Sequence, residues 1–97
     1  MLKDQVLDLL EEIDPDILVP DGLEEAIVGY AERSCAPTVA VLDTDRCIDI
    51  LMEDGIEKRE EAIEYFEFNI LGSYVGEHTP VFVTFFQKER GELRRIK

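Results

Sequence analysis

One histidine, two cysteines and no tryptophan leave this chain short of the side chains from which metal centres and nucleophilic sites are most often built. With His78 alone, neither an HExxH motif nor a two-cysteine, two-histidine zinc site can be assembled. Cys35 and Cys47 do not form a CxxC pair. The strand predicted between them, Thr38 to Leu42, holds them about 15 Å apart or more at roughly 3.3 Å per residue. A disulfide needs Cα atoms within about 7 Å, so both are read as free, partly buried thiols. The six glycines nowhere fall into GxGxxG or P-loop spacing, which excludes those phosphate cradles. Apolar runs such as Ile17-Leu18-Val19 and Val81-Phe82-Val83 are far below the roughly 20 residues of a membrane span. The start, Met1-Leu2-Lys3-Asp4, with acids continuing through Glu12, has neither the basic opening nor the apolar stretch of a secretory signal. The expected location is the cytoplasm.

Basic residues are also scarce: ten Lys and Arg stand against 23 Asp and Glu, a net charge of −13. Their distribution is uneven. Met1 to Glu32 holds ten acids and one base, Arg33 to Tyr65 nine acids and four bases, and Phe66 to Lys97 four acids and five bases. The last segment ends in a basic tail (Lys88, Arg90, Arg94, Arg95, Lys97). A field of this sign repels a phosphate backbone and favours a basic protein partner, so no direct nucleic-acid binding is expected. Glu11, Glu12, Glu24 and Glu25 form the predicted acidic partner face. The plain alternative is a solvated surface that keeps a small domain in solution. A third reading is DNA mimicry, with carboxylates imitating phosphates.

What is present is a globular composition. At 45% hydrophobic, the 97 residues suffice for one domain and one core, with residues 87–97 expected as a basic, partly disordered tail. Leu2, Val6, Leu9, Leu10 and Ile13 recur at helical spacing and predict an amphipathic helix ended by Asp14-Pro15. Ile17 to Val19 reads as extended, a candidate edge strand. Asp21 and Glu24 resemble a capping box opening a second helix to about Arg33, with Leu23, Ala26, Ile27 and Tyr30 inward. Thr38 to Leu42 reads as a strand covered on both faces. Asp43 or Thr44 caps a helix with Cys47, Ile48, Leu51 and Met52 inward, and Gly55 stops it. A further helix from about Lys58 puts Ala62, Ile63, Phe66, Asn69 and Ile70 on one stripe. Pro80 opens a last strand, Val81 to Phe86.

The predicted class is therefore α+β, about four helices on a small sheet of two or three strands, in the order ααβααβ. A helical hairpin between the strands returns the chain to its starting end and predicts an antiparallel pair, although the Gly72 to Thr79 loop is long enough to reverse that direction. Two strands make a marginal sheet, so either Ile17 to Val19 supplies a third or two subunits pair edges; a homodimer is the preferred expectation.

Asp43, Asp45 and Asp49 invite a cation, since hard metals want clustered carboxylates. The calcium-loop spacing fails, with Cys47 and Ile48 at its fifth and sixth positions, and acids at a helix start are explained by capping and the helix dipole. No metal or cofactor is expected. In Glu64-Tyr65-Phe66-Glu67-Phe68-Asn69, three aromatics cannot share one helix face, so Phe66 is assigned to the core and Tyr65 or Phe68 to a boundary. Asn69, placed on the apolar stripe, is expected to be buried and to tie down the Gly72 to Thr79 loop. The functional alternative is a binding pocket formed by Tyr30, Tyr65, Asn69, Tyr74 and His78.

The segments Asp21 to Tyr30 (DGLEEAIVGY), Glu64 to Asn69 (EYFEFN) and Gly72 to Pro80 (GSYVGEHTP) resemble a group of short uncharacterised acidic proteins of phages, prophages, bacteria and archaea. The likeness runs from Asp21 to about Phe82. It transfers no catalytic residue and implies a small accessory protein, in host interaction or anti-defence. Residues and resemblance together predict a non-enzymatic protein-interaction domain. The alternatives are a small-molecule or metal-binding enzyme with its pocket near Tyr65, Asn69, Tyr74 and His78, and a DNA-mimic inhibitor.

Overall fold

The apolar stripe of the first segment folds as its period requires. In the computed structural model, which describes residues 3–73, 76–89 and 92–95 (side chains for 4–73 and 76–86), helix α1 spans Lys3–Ile13. Leu10 is buried, and Val6 and Leu7 pack against the core. The chain leaves through Asp14, whose carboxylate accepts the Asp16 amide at 2.9 Å. Ile17 and Val19 are half-buried and packed against the core but pair with no strand among the described residues, so this segment is not an edge strand.

The second predicted helix does not form. Residues 24–26 make one 3-10 turn, and Ile27–Ala31 is strand β1. Asp21 is not a cap, because the turn starts after Leu23 and has no side-chain cap. Leu23, Ala26 and Ile27 fit a helical stripe, which made the sequence ambiguous. However, Ile27, Val28 and Tyr30 favour extended backbone, and Gly29 weakens a helix interior by about 1 kcal/mol relative to alanine. Pairing with the next strand decides the outcome. Strand β2, Val39–Asp43, runs antiparallel to β1, from Ile27 opposite Leu42 to Ala31 opposite Val39, with a register shift between Ile27 and Gly29.

Helix α2, Thr44–Glu53, begins where the Asp43 carboxylate accepts the Asp45 amide at 3.0 Å. It ends in a full Schellman arrangement: Ile56 N–H reaches the Leu51 carbonyl and Gly55 N–H that of Met52, both at 3.2 Å. Gly55 has φ +128°, a conformation open in practice only to glycine. Helix α3, Arg59–Tyr65, runs directly into a π-helical turn, Phe66–Leu71. Strand β3, Val81–Val83, then pairs with β2 in parallel. The predicted antiparallel pair is thus corrected: the direction left by the helical hairpin is reversed before the chain enters β3 at Val81. The predicted last strand breaks after Val83, and strands β4 (Phe86–Glu89) and β5 (Glu92–Arg95) form a separate antiparallel hairpin in what reads from the sequence as a tail.

The class is α+β, with three α-helices among the described residues in place of about four, and a sheet ordered β1-β2-β3. The core joins Leu42 of β2 to Cys47, Ile48 and Leu51 of α2, Ala62 of α3 and Phe66 of the π-turn. Phe66 meets Phe82 edge to face, ring centroids 5.1 Å apart. Because β1 supplies the third strand from within the chain, the sheet no longer calls for a dimer to complete it.

Candidate functional site

Apolar residues of α1, two of them (Val6 and Leu10) shared with the core, face β1 across an open groove of about 820 Å³. Val6, Leu9, Leu10 and Ile13 form the helical wall, and Ile27, Val28, Gly29 and Tyr30 form the strand wall. Leu9, Ile13, Val28 and Tyr30 are between 43% and 55% exposed, which is unusual for large apolar side chains gathered in one place. At one end stand Glu24 and Glu25 of the 3-10 turn, with Arg46 of α2.

Arg46 is committed locally. Its guanidinium donates to Glu25 at 3.1 Å and to Glu53 at 2.9 Å. One carboxylate of the rim is therefore offset, while Glu24, half-buried, makes no ion pair with a described residue. Glu11 and Glu12 lie exposed on α1 but do not line the groove, so the predicted acidic face is brought together only at Glu24 and Glu25.

The predicted aromatic and polar set is dispersed. Tyr30 lines the groove. Tyr65, at the end of α3, is exposed and points away from the core, and Phe68 in the π-turn is 77% exposed. Asn69 is exposed, which corrects its expected burial. The reason is the π-turn, which closes i to i+5 and so carries more residues per turn. The position three after Phe66 then falls short of Phe66's face, while Ile70 returns to it and packs on the core. The loop is held instead by the Asn69 carbonyl, which accepts the Ser73 hydroxyl. His78 is exposed in a turn closed by Thr79 Oγ1 donating to the Gly76 carbonyl at 2.8 Å, and Tyr74 lies outside the described residues.

The aspartates of α2 have a structural use. Arg59 bridges Asp45 at 3.0 Å and Asp49 at 3.1 Å, tying α3 to the start of α2. Burial pushes the Asp45 carboxyl up, against the pull of Arg59 and with the help of Asp43 and Asp49. Among the described residues no group of three or more His, Cys, Asp or Glu side chains could hold a metal ion. Also among them, no helix is long and apolar enough to cross a membrane.

The groove was not legible in advance. Leu9 and Ile13 read as core, and Val28 and Tyr30 were assigned to a helix, so no sequence signal put α1 opposite β1. The chain matches no protein family, no curated protein and no solved structure.

Proposed function

We propose that this chain is a protein-interaction domain whose α1–β1 groove receives an apolar segment carrying basic residues. The observation that carries it is the apolar groove itself, with Leu9, Ile13, Val28 and Tyr30 all partly exposed on its walls. Burying such walls against a partner is favourable by roughly 25 cal/mol per Å² of apolar surface. Glu24 and Glu25 at one end, and a net charge of −13 behind them, supply the preference for a basic partner. The groove lining contains no serine, cysteine or histidine, and of its two carboxylates Glu25 is engaged by Arg46. Of the residues an enzyme site there would use, Tyr65, Asn69 and His78 do not line this groove. For DNA mimicry, Arg46 and Arg59 work against the reading, since they pair with four carboxylates, Glu25, Glu53, Asp45 and Asp49, and offset half of their charge. An accessory role in host interaction accords with the resemblance to short phage and prokaryotic proteins.

The test is affinity capture with three baits: the unaltered chain, a groove variant Leu9→Glu, and Phe68→Glu on the π-turn. A partner retained by the unaltered chain and by Phe68→Glu, and lost by Leu9→Glu, supports the groove. A partner retained by Leu9→Glu and lost by Phe68→Glu sinks it.

A further inference from the structure

Strand β1 lies at the edge of its sheet. Its one strand partner is β2, and among the described residues no backbone hydrogen bond outside that ladder involves it except the Ile27 amide to the Glu24 carbonyl. Its sequence, Ile-Val-Gly-Tyr-Ala, carries neither a charge nor a proline, two of the devices by which exposed edges are ordinarily guarded.

The groove runs along that edge. Side chains of a strand alternate between faces, so a cleft on one face of the sheet is lined by every second residue. Here four consecutive residues, Ile27 to Tyr30, line the cleft, and no residue of β2 does. The register shift between Ile27 and Gly29 interrupts that alternation, so these four residues do not by themselves choose a face; it is the absence of β2 from the lining that places the cleft on the side of β1 away from β2, with α1 residues on the opposite wall.

We infer that the groove binds its partner by strand addition: an extended segment, alternating apolar and basic residues, joins the sheet as a neighbour of β1. This rests on the interaction reading above and specifies its mode. Main-chain hydrogen bonds to β1 hold the segment, its apolar side chains meet Leu9, Ile13 and Val28, and its basic ones approach Glu24 and Glu25. A second copy of this chain is the less suitable occupant, since each copy carries −13 and the acidic end of the groove with it.

The probe is an end-blocked peptide of about eight residues alternating valine and lysine, titrated into the labelled full chain by NMR. Two further versions are N-methylated at alternate residues in opposite phase, and a fourth carries glutamate for lysine. Strand addition predicts slowed amide exchange in β1, and loss of binding of about tenfold or more for one methylation phase only. The glutamate peptide is expected not to bind, and Val28→Glu to remove binding of the lysine peptide. Shifts at Leu9 and Ile13 that are equal for both methylation phases would overturn strand addition while leaving the groove as an interaction site. No binding by any version overturns strand addition and counts against the groove as well. A concentration-dependent dimer in sedimentation that Val28→Glu abolishes would overturn it in favour of a second copy.

Discussion

Cys47 is fully buried on the inner side of α2, and burial, with the Asp43 carboxylate nearby, pushes its thiol up to about 12. Cys35 is exposed, in a loop with φ +60°. A thiol reagent at neutral pH should therefore modify Cys35 alone, with Cys47 reacting only after denaturant is added; rapid labelling of both would show that the core opens readily. The folded state holds the Cys47 proton more tightly than the unfolded chain, so this group's contribution to stability falls as pH rises from about 9 towards 12. Denaturant melts across that range will show it, and Cys47→Ala should flatten the dependence. Asp45 has the same sign at lower pH, because its carboxyl is raised and the folded state favours the proton. Arg59 opposes that shift, so Arg59→Gln should raise Asp45 further, measurable by carboxylate NMR titration. The cost in stability is expected to be about 1 kcal/mol for a half-buried pair. Gly55→Ala, at φ +128°, should cost about 1 kcal/mol or more in urea denaturation by forcing a side chain into the left-handed region.

At the scale of elements, the π-turn decides which aromatic side chain matters. Phe66 is 3% exposed and packed on Phe82, whereas Phe68 is 77% exposed. Phe66→Ala is expected to destabilise by about 3–5 kcal/mol, and Phe68→Ala and Asn69→Ala by less than about 0.5 kcal/mol, in chemical denaturation. Had the helix continued in α geometry, Asn69 would have shared the Phe66 face and its loss would have been felt. The strand β1 depends on context in the opposite way. Its local preferences are divided between helix and strand, and β2 supplies the ladder that settles them.

Taken whole, the molecule has its negative charge weighted towards the N-terminal third and its basic residues towards the C-terminal end. Self-repulsion at −13 opposes compaction, so added salt should raise the melting temperature modestly by screening it. The same salt should weaken binding of the lysine peptide, chiefly through a slower on-rate, because Glu24 and Glu25 sit at the rim of the groove and stay in contact with solvent. Stopped-flow measurements at two ionic strengths separate these effects.

The sequence by itself determined the features that rest on local periodicity and capping. These are the amphipathic α1, the buried β2, the Asp43 cap, the Gly55 stop and the inward turn of Phe66. Each is decided by neighbours a few residues away. The uneven charge was equally plain, being a property of composition alone. Tertiary structure decided that Ile27–Ala31 is a strand, that β3 runs parallel to β2, and that α1 stands across an open groove from β1. Those outcomes depend on hydrogen bonds and burial between residues far apart in the chain. A spacing of apolar residues that fits both helix and strand cannot anticipate them. The groove was hidden for the same reason: its two walls come from segments whose exposed apolar residues each look, alone, like ordinary core.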